Sequence, residues 1–395
     1  MKYDFDKIID RTGTDCTRLE RCKEMFGTDD VLPLWIADMD FPTPDFVLNS
    51  VKARINHPIL GYTLPSKKYN KTVANWLRKK HGWSDVKEEW IDFLPGIVPG
   101  LSFAIQIYTR EGDEVIIQPP VYPPFLNVVN KNNRKLIFNP LIKTDEHFKM
   151  DFEDLEKKIT SKTKMLILCN PHNPGGRVWG KETLTKLAEI CGKHNIIIVS
   201  DEIHADMVLD GYNHTPLASV SEEAARITVT YMAPSKSFNM PGLITAYFVI
   251  PNPELRRKLA QFLDKNELVC GNIFAYQATM TVYEKGEEWL KQMLAYVQDN
   301  INFVKEYFEK HMPVIKPIIP QASFLIFLDC EGLGFNPEEL RNFFIKEAKL
   351  GLNEGTSFGP GGEYCMRLNV ACPRTILEQA LSQLRKAVIS LKQPV

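Results

Sequence analysis

Five short runs rich in apolar residues constrain the fold of this chain more than any other feature, because four of them do not alternate. Residues 114–117 read Glu-Val-Ile-Ile, 165–169, 196–199 and 246–250 are equally continuous, and 227–230, read as a strand with them, is Ile-Thr-Val-Thr. A strand with one wet face alternates apolar and polar side chains. A strand apolar throughout is buried on both faces, as in a largely parallel sheet covered by helices. The intervening segments supply those helices: over 181–194, Leu184, Leu187, Ala188 and Cys191 fall at i, i+3, i+4 and i+7. Strand–helix alternation predicts an α/β domain, whose ligands sit where strands hand over to loops at their C-terminal ends.

The last third reads differently. The pattern predicts one long helix over 287–311, a strand over 324–328, a helix near 337–350, a strand over 366–370 and a final helix over about 375–391. Fewer strands beside longer helices suggest a smaller α+β domain. The first 50 residues, punctuated by Pro33, Pro42 and Pro44, carry little regular pattern. The expected organisation is 1–50 as an N-terminal arm and part of the small domain, 51–286 as the large domain, and 287–395 as the C-terminal small domain. A chain of 395 residues has room for two or three domains with cores of their own.

Composition removes several functions. Lys and Arg number 48 against 49 Asp and Glu, a net charge of −1, so nothing draws the chain as a whole to nucleic acid. No apolar run approaches the length that crosses a bilayer, and the charged N-terminus predicts no signal peptide. The eight cysteines are scattered and none forms a C-x-x-C pair, which predicts reduced thiols and a cytoplasmic protein.

Chemistry gathers at the predicted strand ends. After 227–230 comes the loop Ala233-Pro234-Ser235-Lys236-Ser237. A partly desolvated lysine there would have a lowered pKa and could form a Schiff base, although a solvated loop lysine fits position alone. After 196–199 comes Asp201-Glu202-Ile203-His204. Asp201 could keep a heterocyclic nitrogen protonated or simply cap a helix. Asp201 and His204 lack a third and fourth ligand at a spacing that would hold a metal. After 165–169, the turn 170–177 offers the amide of Asn173 as a hydrogen-bond donor. Gly96-Ile97-Val98 opens an apolar helix and could present backbone N–H groups to an anion. It is neither a dinucleotide fingerprint nor a P-loop.

Taken together, these clusters resemble the pyridoxal-phosphate enzymes of fold type I, the aspartate aminotransferase superfamily, and within it the cystathionine β-lyase (C–S lyase) subgroup. The likeness runs nearly end to end, through Leu34-Trp35-Ile36-Ala37-Asp38-Met39-Asp40-Phe41, Gly61-Tyr62-Thr63, 118–125, 170–178, 200–209, 235–242 and 366–374. It implies an α/β fold and pyridoxal 5'-phosphate as cofactor. Lys236 would bind the cofactor as an imine and serve as the base. Asp201 would face the pyridine nitrogen, Asn173 the ring's 3-oxygen, and His204 would stand where many relatives carry a Tyr with that same task. Tyr122 would stack on the ring, and either Tyr122 or Lys236 would protonate a departing sulfur. Gly96, Ile97, Val98 and Ser235 would hold the phosphate. Tyr62 would reach the phosphate of a second subunit, implying a homodimer with shared sites, and Arg367 with Asn173 would clamp the substrate carboxylate. The implied reaction cleaves L-cystathionine or a related cysteine S-conjugate to a thiol, pyruvate and ammonia; the alternative is amino-group transfer to a 2-oxo acid.

Three departures from the family pattern stand out. Ala233 replaces a Ser or Thr, and Ile244 replaces an Arg, which leaves fewer charged groups for the phosphate; Ser237 is the expected compensation. Arg18-Leu19-Glu20 replaces the subgroup's Lys-Trp-Asp, a change expected to alter only packing remote from the chemistry.

Overall fold

A computed structural model describes residues 2–144 and 146–391. Its centre is a seven-stranded sheet in the order Ile91–Phe93, Tyr247–Val249, Thr228–Met232, Ile197–Asp201, Thr163–Cys169, Glu114–Ile117 and Lys135–Phe138. Tyr247–Val249 runs antiparallel to both of its neighbours, and the remaining pairings are parallel. Each of the five predicted strands lies within two residues of its expected bounds.

The continuous apolar runs are buried on both faces, as their pattern requires. Val115, Ile117, Met165, Ile167, Val199 and Val229 pack with Leu101 and Ala104 of helix Ile97–Tyr108 and Leu259 of helix Pro253–Lys265. The alternate residues Ile116, Leu166, Leu168 and Ile198 point the other way, into Leu184, Leu187 and Ala188 of helix Lys181–Lys193. Each such aliphatic side chain contributes about 1.5–3 kcal/mol when fully buried. The strands Ile91–Phe93 and Lys135–Phe138 escape the sequence pattern because they are short sheet edges, and the second is only partly buried.

A second, antiparallel sheet follows the order Lys316–Ile318, Leu325–Asp329, Cys365–Asn369, Asn353–Glu354. The long helix Glu287–His311 and the last helix Arg374–Ser390 complete this part. The helix expected near 337–350 is broken. It is α-helical over Pro337–Asn342, widens to a π turn over Phe343–Glu347, and gives way to the strand Leu350–Gly351. Phe343, Phe344 and Ile345 are all buried, and three consecutive buried side chains cannot share one 3.6-residue stripe.

The first 50 residues are more regular than their pattern suggests. Thr17–Glu20 and Cys22–Phe26 are helical, and Leu32–Pro33 pairs in parallel with Leu350–Gly351. Helix Asp45–Ile55 crosses the boundary drawn at residue 50; its single buried side chain, Val47, explains its weak periodicity. Phe5 and Phe41 pack edge-on against Trp289 and Tyr296 of the long helix. We propose the three-part division as the domain organisation, supported by the separation of the two sheets along the chain.

Candidate active site

The sheet delivers its chemistry at one edge. Strand Ile197–Asp201 ends on Asp201 itself, with His204 three residues later. Thr163–Cys169 leads into Asn173, and Thr228–Met232 into Ser235 and Lys236. Helix Ile97–Tyr108 starts after Gly96, whose φ of +123° only glycine adopts readily. These loops enclose a cavity of about 280 Å³ lined by Gly96, Ile97, Val98, Tyr122, Asn173, Asp201, His204, Ser235 and Lys236.

Arg367 enters from the other sheet, on Cys365–Asn369. Its Nη1 donates to Asn173 Oδ1 at 3.1 Å, and its Nη2 donates to the Trp35 carbonyl at 2.9 Å and to Asn353 Oδ1 at 2.7 Å. Among the described residues its Nε is buried without a partner, and no carboxylate forms an ion pair with it. Burial pulls its pKa down to about 10. An uncompensated buried cation of this kind is built to receive an anion.

The titratable groups of the cavity are all displaced by burial. The Lys236 pKa falls to about 8, burial leading and Arg367 adding to it, while Asp38 and Asp201 oppose. Its Nζ donates to the Ala37 carbonyl at 2.6 Å. Asp201 rises to about 7, again through burial first; its Oδ1 accepts from the Ile203 N–H at 3.1 Å, and Glu202 lifts it further. A cation placed against Asp201 would return it to the carboxylate. His204 falls to about 3 through burial, then through Lys236 and Arg367, so its ring is neutral at pH 7. Its Nδ1 is buried with no partner among the described residues. Burial raises the Tyr122 pKa and keeps its phenol protonated.

Not every expected residue joins this set. Tyr62 is fully exposed and lies outside the cavity of its own chain. Ser237 does not reach the cavity; it is buried, with its hydroxyl turned to Asp206 at 3.4 Å. Arg18 is not remote: it is buried and bonds Asp38, the residue after the Ala37 carbonyl that holds Lys236. Two cavity groups fall outside the roles expected from the sequence. One is the Ala37 carbonyl. The other is Thr245, which lines the cavity with a buried hydroxyl that has no partner among the described residues.

Loops at the carboxyl edge of a mostly parallel sheet, a lysine among them and an arginine from a second sheet define a class. The sequence profile of the class I and II aminotransferases matches residues 29–384, and the chain belongs to that family. Among its relatives, cystathionine beta-lyase PatB of Bacillus subtilis (strain 168) is 43% identical, covering 97% of this chain and 99% of that protein. Cystalysin of Treponema denticola, solved with a pyridoxal 5'-phosphate cofactor, superposes with a TM-score of 0.96 at 34% identity over 99% of this chain and 100% of its own. The pyridoxal-phosphate-bound C–S lyase of Staphylococcus hominis superposes with a TM-score of 0.92 at 33% identity, covering 98% and 99%.

The residues present fit that cofactor. The helix N-terminus at Gly96–Val98 suits a phosphate; among the described residues Asp201 forms no ion pair and the His204 Nδ1 has no partner. Lys236 is the amine beside them.

Proposed function

We propose that this chain is a pyridoxal-phosphate-dependent carbon–sulfur β-lyase that converts L-cystathionine or a related cysteine S-conjugate to a thiol, pyruvate and ammonia. The observation that carries the reading is one cavity in which Lys236, Asp201, Asn173 and Tyr122 converge, with Arg367 bonded to Asn173. The choice of β-elimination over amino transfer rests on the likeness to the lyase relatives.

The cavity lining supports a set of roles. Gly96, Ile97, Val98 and Ser235 would hold the phosphate, joined by Thr245. Asp201 would hold the ring nitrogen, and His204 and Asn173 the ring oxygen. When bound, the cofactor supplies an electron sink for the substrate's Cα carbanion. Arg367 takes the substrate carboxylate and Asn173 supports it, so that the Cα proton faces Lys236. Lys236 would hold the cofactor before substrate arrives. Its amine, once free, takes the Cα proton, and its lowered pKa suits that work. A protonated Tyr122 or Lys236 then gives a proton to the departing sulfur, and water hydrolyses the released enamine to pyruvate and ammonia.

The substrate's sulfur substituent has space beyond the lysine. A second cavity of about 880 Å³ also touches Lys236 and runs past Asp38, Thr43 and Val47. We also infer a homodimer. Tyr62 stands fully exposed among exposed Ile55, Ile59, Leu60 and Leu64, an apolar face that a second copy would cover. The eight free cysteines, seven of them buried, support a reducing, cytoplasmic setting. Among the described residues no helix is long and apolar enough to cross a membrane.

The test is pyruvate release from L-cystathionine by the holoprotein without a 2-oxo acid. Sustained release over many turnovers, abolished in Lys236→Ala, is expected. A single bleaching of the cofactor band that returns only when a 2-oxo acid is added would make the protein an aminotransferase instead.

A further inference from the structure

The wall between Lys236 and Arg367 is the stretch 35–41, which has no repeating structure. Its carbonyls are nevertheless held one after another. Trp35 O accepts from Arg367, Ile36 O from Asn369, and Ala37 O from Lys236. Asp38 O accepts from both Arg18 and Asn369, and Met39 O from Asn239. The loop therefore ties the lysine of one sheet to the arginine of the other.

Outside this wall lies a closed ring of four charges. Arg18 donates to Asp38 Oδ1 from Nη2 at 2.5 Å and to Asp40 Oδ2 from Nη1 at 2.6 Å. Arg11 donates to the remaining oxygens, Asp38 Oδ2 at 2.6 Å and Asp40 Oδ1 at 3.1 Å. Each aspartate is shared by both arginines, and the four charges sum to zero. Arg18 is 3% exposed and Arg11 28%, so Arg18 is the buried member and the only one of the two that also grips the backbone.

We propose that Arg18 is a positioning residue for the Lys236 amine: with Arg11 it locks Asp38 and Asp40, fixes the Ala37 carbonyl that receives the amine, and neutralises the carboxylate that the amine faces. The groups that face the lysine nitrogen are Asp38 from this wall, Asp201 and His204 from the strand end, and Arg367 from the other sheet. Removing Arg18 takes away one cation and so leaves Asp38 half-compensated. That change favours the protonated nitrogen, so its titration moves upward.

The inference rests on Lys236 being the lysine that holds the cofactor, and the experiment separates the two. Borohydride reduction of the wild-type holoprotein, followed by peptide mass mapping, shows which lysine carries the cofactor; a label elsewhere defeats that assignment. With the label on Lys236, the pH midpoint of the cofactor's visible band is measured in wild type, Arg18→Ala, Arg18→Lys and Arg11→Gln. Arg18→Ala is expected to raise the midpoint by about one pH unit and Arg11→Gln by less, with Arg18→Lys returning it to within about 0.3 units of wild type. Removing one partner of a buried ion pair can unfold a protein; if Arg18→Ala does not fold, the more exposed Arg11→Gln decides the matter on the same midpoint. A midpoint unmoved in folded Arg18→Ala or in Arg11→Gln, or not restored by Arg18→Lys, overturns the proposal.

Discussion

Arg367 offers the sharpest test of the site, because its charge is buried without a carboxylate partner. Arg367→Met removes the guanidinium while keeping an unbranched side chain. Two charge-assisted hydrogen bonds to a substrate carboxylate, at about 1.5–3 kcal/mol each, amount to roughly 3–6 kcal/mol. At about 1.4 kcal/mol per tenfold, that is a loss on the order of 10²- to 10⁴-fold in affinity. The substitution also strips a donor from Asn173 Oδ1, Asn353 Oδ1 and the Trp35 carbonyl, so a bare drop in binding would not separate recognition from local damage. A cycle does. The ligands are an α-methyl amino acid, which has no Cα proton to lose, and the matched amine without the carboxylate. Both are titrated against the visible band of the holoenzyme, in wild type and variant. Wild type should prefer the amino acid by roughly 10²- to 10⁴-fold, and Arg367→Met should narrow that preference to about tenfold or less. Damage to the loop weakens both ligands alike and cancels. A preference that survives in the variant refutes the assignment of Arg367 to the carboxylate.

Asp201→Asn preserves shape and removes charge; it should still bind cofactor but lose on the order of 10²-fold or more in pyruvate release, and a variant with near wild-type turnover would exclude Asp201 as the ring's partner. The apoprotein should take up pyridoxal phosphate at a rate that rises with pH through about 8, because only the neutral Lys236 amine attacks an aldehyde and its pKa lies there; absorbance stopped-flow across the pH range reads it, and a midpoint near 10 would contradict the burial argument. Thr245→Val removes the unpartnered hydroxyl at nearly constant volume and should weaken cofactor binding by roughly 3- to 10-fold without lowering the melting temperature of the apoprotein; unchanged affinity in a dialysis titration would show that the hydroxyl meets no ligand. Gly176→Ala places a Cβ 2.3 Å from Pro320 Cβ at a φ of +65°, and the strain and clash together should cost about 2–5 kcal/mol, read as a fall in the urea midpoint.

The legible part of this molecule is the part where local pattern and tertiary role coincide. The strands ending at Cys169, Asp201 and Met232 announce themselves by runs rich in apolar and β-branched residues; Asp201 closes its own strand, and Asn173 and Lys236 follow theirs within a few positions. Parallel topology then does the rest, since it sends every such loop to the same edge of the sheet. Helix Asp45–Ile55 and the edge strands were hidden for the converse reason: with one buried side chain, or with a half-wet edge, the tertiary contacts that hold them leave little trace in the residues themselves.

The same reasoning explains why Arg18 reads as remote when it is not. It lies 20 residues before Asp38 and 218 before Lys236, in a helix of four residues whose periodicity says nothing. Its importance comes from a chain of contacts, guanidinium to carboxylate to the preceding carbonyl to amine, and no window of sequence contains that chain. A lysine in its place can supply the charge but not the planar fork that meets Asp38 and Asp40 together. What an arginine adds here is therefore direction rather than charge: it fixes where the two carboxylates point, and with them the carbonyl on which the reactive amine rests. If that is right, Arg18→Lys restores the titration of the lysine while leaving the loop looser, and amide hydrogen exchange over 35–41 should rise in that variant even though the visible band titrates as in wild type. Exchange that stays at the wild-type level would show that charge alone sets the wall.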